Sequence, residues 1–341
     1  MRIVVDVSPL SHPRTGVGNY IRGSLRGLAA TEHEVVAFAP VTAGGRRAVE
    51  EALVGIDVER HLPVLPAAHA VRTAWSRLGR PPTERLVGRF DVLHFSDWMY
   101  PPQRSGVRST MVHDLVPLHH PEWVHPRTER MHGAKYAHAA RTCDVIVANS
   151  RFTADDVGET LGFPRERIHV AYPAVDPVFA AQGARAEGDY VLTVGTLEPR
   201  KNLELAIDGV RGRELRVVGA RGWGGVEARG DNVTWLGYPS DAELARQYRG
   251  ASAVVYPSRF EGFGMPIVEA MACGVPVVAS SHPSLDEACG GVALRADDPD
   301  AVAVAVEQAI AEREDLVQRG LEHAARFTAE SNALAHLEAW S

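Results

Sequence analysis

Short apolar runs that alternate with helical stretches along all 341 residues are the strongest constraint on how this chain folds. Each run has the length and the β-branched composition of a buried strand. The predicted strands are 2–7, 34–39, 91–95, 109–114, 144–150, 168–172, 190–195, 215–219, 233–237, 253–258 and 275–280. Strands separated by helices are joined by right-handed crossovers, which produce parallel sheets covered on both faces. The sequence therefore predicts an α/β protein.

The alternation is interrupted once, near the middle of the chain. Pro173 and Pro177 precede the small, polar stretch 180–189, which is typical of a linker, and the strand pattern then restarts. The predicted helices are about 17–30, 67–79, 127–141, 151–161, 201–211 and 240–249, one from Pro266, and several over 298–341. Two doubly wound units in tandem are the simplest interpretation, and the length agrees with about two domains.

Composition excludes several classes of protein. The chain is 45% hydrophobic and 23% charged, as ordinary globular proteins are, and no apolar run approaches the ~18 residues of a membrane span. Residues 1–173 carry 21 basic and 18 acidic side chains, whereas 174–341 carry 15 and 25. A nucleic-acid binder would be expected to show a more concentrated basic charge, so no nucleic-acid partner is expected. No signal peptide is visible, and Cys143, Cys273 and Cys289 lack metal-type spacing, so a cytoplasmic location is expected.

The clearest binding pattern is the stretch 259–280, RFEGFGMPIVEAMACGVPVVAS. It leaves the carboxyl end of the predicted strand 253–258, and open parallel sheets bind their ligands beyond such ends. Gly262 and Gly264 allow the backbone to approach a ligand closely, and a helix with Pro266 as its first residue presents N–H groups with partial positive charge. The pattern indicates a binding site for a phosphate or a polar sugar.

Two acids stand on either side of that turn. Glu261, at its mouth, can accept hydrogen bonds from hydroxyls. Glu269, one turn into the helix, can reach a second diol, as an acid does for a ribose. The alternative interpretation, that both are surface glutamates, stays open from the sequence alone.

A second stretch, VGTLEPRKNL (194–203), also follows a predicted strand. Gly195 allows close approach, and Arg200 and Lys201 precede a helix, where compact cations can hold a diphosphate. A solvated basic pair is the alternative. Of 36 basic residues 34 are arginine, so Lys135 and Lys201 are the only lysines and each is a candidate for a specific role.

These motifs resemble those of the GT4 family of retaining, nucleotide-sugar-dependent glycosyltransferases. The segment EGFGMPIVEAMACGVPVVAS resembles the E-x7-E signature of the family, and VGTLEPRKNL resembles a strand-tip segment of its bacterial mannosyltransferase-like branch. Further segments resemble the family in the expected order: TGVGNYIRGSL (15–25), VHDLVPLHHPEW (112–123), VANSRFTADDV (147–157) and WLGYPSDAELARQYRGASAVVYPS (235–258).

The resemblance implies the GT-B fold, in which two Rossmann-like, doubly wound parallel-sheet domains face a cleft. The implied acceptor domain spans 1–175, and the implied nucleotide-sugar-binding domain spans 186–326. Residues 327–341 would return to the first domain as a final helix.

The resemblance also implies roles for residues of the second domain. Glu269 matches the acid that binds the nucleotide ribose, and Glu261 matches the acid that contacts the hydroxyls of the donor sugar. The backbone amides that would hold the sugar or the diphosphate belong to Phe263, Gly264 and Met265.

Arg200 and Lys201 match the positions that stabilise the diphosphate as it departs, with Gly195 beside them. Many members of the family carry an arginine directly after that glycine, where this chain has Thr196. This departure leaves more of the diphosphate charge to Arg200 and Lys201.

In the first domain, Gly16 and Gly18 match the turn that approaches the diphosphate. His113 matches the histidine beside the reacting sugar, and Asp114 would orient it or the acceptor. A purely structural histidine at a strand end is the alternative. The implied catalytic residues are His113, Arg200, Lys201 and Glu261.

The implied reaction transfers a hexosyl group, with mannose favoured, from a nucleoside-diphosphate sugar to a saccharide, a lipid-linked or a small-molecule acceptor. GDP-mannose is the favoured donor, and a UDP- or dTDP-sugar is the alternative. The usual retaining mechanism needs a carboxylate nucleophile about 5 Å from its partner acid. Glu261 is the obvious candidate, but its inferred position over the sugar hydroxyls favours a front-face reaction instead. No metal or other cofactor is expected, because cationic side chains replace it.

Three other functions compete with this interpretation. The Gly-Val-Gly turn at 16–18 suggests a NAD-dependent dehydrogenase, but about eight residues separate it from the first strand, and the second strand ends in 37–40 without the expected acid. A sugar-nucleotide epimerase would bind the nucleotide similarly without an acceptor. A non-catalytic binding module would be expected to lack some of the charged positions.

The histidines suggest a metal site, but none forms the i, i+4 helical pair with a matching acid that metalloproteases use. They are His113, His119, His120, His125, His132 and His138. We expect no metal.

The region 63–90 is rich in proline and arginine and is interpreted as an excursion from the first sheet. Within it, residues 71–90 carry five arginines and Trp75, and basic, aromatic helices can lie on anionic membranes. Peripheral membrane association is one interpretation, and a solvated loop beside the acceptor is the other.

Overall fold

The computed structural model describes residues 1–13, 15–96, 99–222 and 224–341. Contacts divide the described chain into two compact units. Unit 1 consists of Met1–Leu118, Pro126–Ala174 and Thr328–Ser341, and unit 2 consists of His119–His125 and Val175–Phe327. Each unit is built on one parallel sheet with flanking helices, as the sequence predicts.

Unit 1 contains seven strands: β1 (Arg2–Asp6), β2 (Glu34–Phe38), β3 (Glu59–His61), β4 (Val92–Phe95), β5 (Val107–Val112), β6 (Val145–Ala148) and β7 (Ile168–Val170). Their order in the sheet is β3-β2-β1-β4-β5-β6-β7, and every pairing is parallel. The order reverses direction between β1 and β4, which is the doubly wound arrangement of Rossmann-like domains. Ligands of such sheets bind beyond the carboxyl ends of the strands at that reversal.

The first seven helices are α1 (Gly16–Ala29), α2 (Ala43–Ala52), α3 (Ala68–Leu78), α4 (Glu84–Val87), α5 (Val116–His119), α6 (Pro126–Thr142) and α7 (Arg151–Leu161). They connect the strands of unit 1 and cover its sheet. The central strands are apolar on both faces for that reason: Ile3, Val4 and Val5 of β1 are all buried.

Unit 2 contains six strands: β8 (Tyr190–Val194), β9 (Glu214–Val218), β10 (Val233–Trp235), β11 (Ala253–Tyr256), β12 (Val277–Ala279) and β13 (Leu294–Arg295). Its helices are α8 (Leu203–Gly209), α9 (Asp241–Gly250), α10 (Met265–Ala272), α11 (Asp286–Cys289), α12 (Pro299–Ala311) and α13 (Arg313–Ala324). The sheet order β10-β9-β8-β11-β12-β13 repeats the arrangement of unit 1, with its reversal between β8 and β11.

The last helix, α14 (Ala329–Ala339), packs against α1 within unit 1. The two helices approach so closely that an added Cβ at Gly27 would overlap the carbonyl oxygen of Ala329. Thr328 and Ser331 form a capping box at the start of α14, which fixes where this helix begins.

All eleven predicted strands are confirmed, and six of the described strands and α-helices were not predicted: β3, β13, α2, α4, α5 and α11. Strands β3 and β13 lie at sheet edges, so they need no apolar run to be stable. Helix α2 buries only Gly45 and Val49, which leaves too narrow an apolar stripe to detect. The predicted helix at 201–211 begins later, because residues 199–201 form a 3₁₀ turn and Asn202 has a positive φ of 52°.

The stretch 180–189, predicted as a linker, forms no helix or strand. The guanidinium of Arg249 donates to the carbonyl oxygens of Ala184 at 2.7 Å and Ala180 at 3.1 Å. The stretch is therefore tied to α9 within unit 2.

Candidate functional site

The sequence-predicted site residues of unit 2 gather beyond the carboxyl ends of β8 and β11, at the reversal of the sheet. Gly195 follows β8, and the loop 257–264 joins β11 to α10. An added Cβ at Gly195 would lie 3.3 Å from Cδ of Lys201, so the glycine allows the lysine stem to lie against the strand end.

Glu261 is the centre of this cluster, because four donors converge on its carboxylate. Oε1 accepts from the hydroxyl of Tyr256 at 2.9 Å and from Oγ of Ser258, and it pairs with Nζ of Lys201. Oε2 pairs with Nη1 of Arg200 at 2.8 Å. A carboxylate offers about four acceptor positions, so the protein itself occupies most of its capacity.

The electrostatics of the cluster follow from burial and pairing. Burial alone would raise the pKa of the Glu261 carboxyl, but the charges of Arg200 and Lys201 outweigh it and hold that pKa well below its usual range. Burial, followed by the neighbouring Arg200 charge, lowers the pKa of Lys201, and Glu261 opposes that shift. Glu198 also pairs with Nε of Arg200 at 3.4 Å. Glu261 is therefore an ionised carboxylate at neutral pH.

Backbone contacts hold the loops that carry the cluster. The amide of Glu261 donates to Oγ of Ser284 at 3.0 Å, and Nδ1 of His282 lies 2.8 Å from the same oxygen. The amide of Arg259 donates to the carbonyl of Arg200 at 2.8 Å. The ends of β8, β11 and β12 are thus tied together.

Gly264 precedes α10 with a φ of 102°, and an added Cβ would lie 2.8 Å from Leu285. Both facts require glycine at this position. The sequence predicted Pro266 as the first residue of helix α10. The helix begins at Met265, so Pro266 is its second residue. The side chain of Phe263 is buried and packs edge-on against Phe327, with 5.1 Å between ring centroids. The side chain of Phe263 therefore belongs to the packed interior of unit 2, and the role predicted for this residue concerns its backbone amide.

Glu269 lies on α10 and is buried, with only 5% of its surface exposed. The hydroxyl of Tyr248 on α9 donates to Oε2 of Glu269 at 3.2 Å. Glu261 is 7% exposed. The interpretation of the two acids as surface glutamates is therefore wrong.

In unit 1, Gly16 and Gly18 open helix α1. The amide of Gly18 donates to Oγ1 of Thr15, the N-cap residue, at 3.4 Å. An added Cβ at Gly16 would meet nothing within 4 Å, so the space above this helix start is open. A helix start with accessible amides suits a negatively charged group.

His113 follows β5 and is partly buried, with Nε2 withdrawn from solvent. Its ring packs edge-to-face on Tyr20, with 5.1 Å between centroids. Burial, helped by the charges of Lys135 and His132, lowers the pKa of His113 to about 3. The imidazole is therefore neutral at physiological pH and can exchange hydrogen bonds with a hydroxyl. Oδ1 of Asp114 accepts from the amide of Val116 at 3.0 Å, and no hydrogen bond between Asp114 and that ring is found among the described residues.

Lys135 was selected from the sequence only for the rarity of lysine. The structure buries it to 1% exposure on α6, where Nζ donates to the carbonyl oxygens of Met111 and, at 3.3 Å, Ser96. It places a positive charge behind the ends of β4 and β5. Tyr256 and Ser258, which hold Glu261, were not predicted, although both stand in the AVVYPS run beside the motif.

No group of three or more histidine, cysteine, aspartate or glutamate side chains in the described ranges is arranged to hold a metal ion. Nor does any described helix have the length and apolar character needed to cross a bilayer.

Two family models match the chain. Residues 14–179 match the model "Glycosyltransferase Family 4", and residues 188–312 match the model "Glycosyl transferases group 1". The chain therefore belongs to the glycosyltransferase family that these two models describe. The transferase is also 29% identical to the O-antigen chain mannosyltransferase B of Escherichia coli, over 97% of each chain. It is 27% identical to a D-inositol 3-phosphate glycosyltransferase of Paenarthrobacter aurescens, over 98% of this chain and 96% of that one.

Solved structures agree on the fold of the glycosyltransferase. The HepE protein of Anabaena, in complex with UDP and glucose, superposes with a TM-score of 0.69 over 99% of this chain and 98% of that one, at 16% identity. The GT-B class is therefore confirmed. The dehydrogenase and binding-module interpretations are wrong, and the named relatives, all transferases, do not favour the epimerase.

Proposed function

We propose that this glycosyltransferase moves a mannosyl group from GDP-mannose to a saccharide or lipid-linked acceptor, with retention of configuration and without a metal. The observation that carries the proposal is the cluster of Arg200, Lys201 and Glu261 at the sheet reversal of unit 2. The similarity to the E. coli mannosyltransferase supports mannose as the sugar. A UDP-sugar is the alternative donor, since HepE was solved with UDP.

The leaving group explains why two cations stand together. As the anomeric C–O bond breaks, the diphosphate gains negative charge, and donors placed beforehand stabilise that charge by about 3 kcal/mol each. Arg200 and Lys201 would supply this charge. Glu261 holds both cations at the strand ends, so little side-chain entropy is lost when the diphosphate binds.

Glu261 itself is a poor nucleophile in this setting. Its carboxylate is ionised, but Tyr256, Ser258, Arg200 and Lys201 occupy its oxygens. We therefore infer a front-face reaction. The acceptor oxygen bonds to the anomeric carbon on the side from which the diphosphate leaves, and its proton passes to the departing phosphate oxygen.

Glu269 and His113 complete the proposed assignment. The carboxylate of Glu269, oriented by Tyr248, would accept hydrogen bonds from the ribose hydroxyls of the nucleotide. The neutral imidazole of His113 would hydrogen-bond the reacting sugar, with Gly16 and the amides that open α1 near the diphosphate.

A thermal-shift screen of nucleoside diphosphates and their sugar conjugates, in EDTA, tests the donor site. GDP or UDP should raise the melting temperature, and Glu269→Ala should remove most of that rise. Glu314→Ala, an exposed acid on α13, is the matched control and should keep it. No stabilisation by any nucleotide would reject the assignment, and stabilisation only after metal addition would reject metal independence.

We also infer that unit 1 attaches to an anionic membrane through an arginine-rich surface, defined by Arg77, Arg80, Arg85 and Arg89 with the exposed apolar side chains Val71, Leu78 and Leu86. Leu78 is 74% exposed, and the four guanidinium groups form no ion pair with any residue that the structure describes. Trp75 does not belong to this surface: it is buried and packs against Phe38.

Sedimentation with vesicles tests this attachment. The protein should sediment with vesicles of anionic phospholipid at low salt and not with neutral vesicles, because basic side chains near such a surface contribute about 1 kcal/mol each. Arg77→Ser with Arg85→Ser should release it, while Arg46→Ser, an exposed arginine on α2, should not. Equal binding to neutral vesicles would contradict an electrostatic attachment.

A further inference from the structure

The ring of Tyr20 on α1 links His113 to the last helix of the chain. One edge-to-face contact joins it to His113, with 5.1 Å between centroids and 83° between planes. Its hydroxyl donates to the carbonyl of Ala171 at 2.9 Å and lies 3.0 Å from Nε2 of His336 on α14. A phenol has a single hydrogen, which goes to the carbonyl, so Nε2 of His336 is the donor in the second bond.

His336 is itself held firmly. It is 1% exposed, and its ring lies 4.9 Å from that of His94 and 5.0 Å from that of Trp340. Nδ1 of His94 and Nε1 of Trp340 both bond to Oγ of Ser109 on β5, each at 2.9 Å. The ring contact of His336 with His94 on β4 and the bond of Trp340, the residue after α14, to Ser109 on β5 both hold this end of the chain against the sheet, so His336 can adopt few other conformations.

His113 lacks comparable support of its own. Its imidazole forms no hydrogen bond with the residues that the structure describes, and Nε2 is withdrawn from solvent. The edge-to-face contact with the ring of Tyr20 limits the rotation of the His113 imidazole. The orientation of this imidazole therefore depends on where Tyr20 is held.

We propose that His336 is a positioning residue, which holds the His113 imidazole in its working orientation through the hydroxyl and ring of Tyr20. The inference rests on the proposed function, in which His113 bonds the reacting sugar. His336 lies 316 positions after Tyr20 in the sequence. The proposal therefore makes the C-terminal helix α14 a part of the reacting site of unit 1. A small misplacement of a catalytic group is enough to slow a reaction substantially.

The first experiment compares two substitutions of one side chain. His336→Leu removes the donor to Tyr20 and should lower kcat about tenfold with an unchanged KM for the donor sugar. His336→Gln keeps an N–H that can reach the same oxygen and should restore most of kcat. Tyr20→Phe, which keeps the ring and loses the hydroxyl, should resemble His336→Leu.

Thr328→Ala provides the matched control for helix docking. Thr328 caps α14 by accepting from the amide of Ser331 at 3.0 Å, and it does not contact Tyr20. The substitution should lower the melting temperature and leave kcat unchanged. An equal fall of kcat in Thr328→Ala and His336→Leu would mean that only the docking of α14 matters, and would overturn the proposal.

A double-mutant cycle then isolates the path through His113. In a His113→Ala background, His336→Leu should have no further effect on kcat, because the group that it positions is absent. The same tenfold loss in both backgrounds would show that His336 acts independently of His113, which contradicts the proposal.

Failure of the proposed function gives a different result. If His113→Ala leaves turnover unchanged, the role of His113 in transfer is wrong, and positioning is tested by NMR instead. The imidazole signals of His113, assigned by their loss in His113→Ala, should shift in His336→Leu and stay in place in His336→Gln and Thr328→Ala. Signals that do not move in His336→Leu would reject the positioning role.

Discussion

The two sheets share the order of their first six strands, but the side chains at their reversals differ in kind. In unit 1 the imidazoles near β4 and β5 are uncharged at neutral pH: His94, His113 and His336 all have lowered pKa values because burial disfavours their charged forms. In unit 2 the corresponding position carries ions, with Arg200 and Lys201 paired to Glu261. The same fold therefore supports two chemistries.

Pairing explains the difference. A buried imidazole can lose its charge at little cost, whereas a carboxylate between two cations keeps its charge even when water is excluded. Unit 1 thus offers neutral hydrogen-bonding groups, and unit 2 offers fixed charge. In a transfer reaction, neutral hydrogen-bonding groups suit a sugar hydroxyl, and fixed positive charge suits a departing diphosphate.

Removal of a cation from the cluster in unit 2 should have the largest effect. Lys201→Ala should lower turnover by about 100- to 1,000-fold, because a donor to the leaving group is lost in the transition state. Donor affinity should fall much less. Steady-state kinetics and calorimetric titration measure the two quantities, with Arg211→Ala, an exposed arginine, as control. Unchanged turnover with weakened nucleotide affinity would contradict the leaving-group role.

Removal of the anion from the same cluster should destabilise unit 2. Glu261→Gln leaves Lys201 without its ion-pair partner and Arg200 with Glu198 only, and an uncompensated buried charge costs about 3 kcal/mol. Urea unfolding at pH 7 measures this loss. Glu307→Gln breaks an exposed pair with Arg213 and should cost less than about 1 kcal/mol. An equal loss of unfolding free energy in the two variants would mean that the buried cluster contributes no more to stability than an exposed ion pair.

The pH dependence of stability should separate the two units. His336 has a pKa of about 3 in the folded chain and near 6.5 unfolded, so the unfolded state binds more protons between these values. The contribution of neutral His336 to the free energy of unfolding is fully present above pH 6.5. It decreases as the pH falls below 6.5, and the decrease reaches about 2 kcal/mol at pH 5. For Glu261 in unit 2 the loss begins only below its ordinary pKa, near 4.5.

Hydrogen exchange at pH 7.5 and pH 5 can detect this separation. Amides of β5 in unit 1 should lose protection at pH 5, while amides of β8 in unit 2 should lose less. His336→Gln, which cannot titrate, should reduce the loss in unit 1. Parallel losses in both sheets, unaffected by that substitution, would contradict the assignment of neutral groups to unit 1.

The smallest expected effect concerns the support of Glu269. Tyr248→Phe removes the hydroxyl that donates to this carboxylate, and one hydrogen bond contributes about 1 kcal/mol, so nucleotide affinity should fall about fivefold. Tyr190→Phe removes a buried hydroxyl that bonds to the carbonyl of Gln247 instead. It should leave affinity unchanged. Calorimetric titration with the nucleoside diphosphate distinguishes the two variants.

Much of the fold was predictable because its signals are local. All eleven predicted strands exist, and the glycine-bracketed turn does precede a helix. The elements that were not predicted are the edge strands β3 and β13, the narrowly buried helix α2, and the four-residue helices α4, α5 and α11, which are too short to show a period. Periodicity can only reveal elements that bury a regular face.

The residues of the charged cluster in unit 2 were predicted only in part, and their arrangement was not predicted. The sequence alone determined the order of the strands and helices, and it identified Arg200, Lys201, Glu261 and Glu269 as neighbours of strand ends. The burial of both acids, the contacts of Tyr256 and Ser258 with Glu261, and the contact of Tyr20 with His336 become evident only from the folded chain. The physical reason is that burial and pairing depend on residues far apart in the chain, which no local pattern specifies.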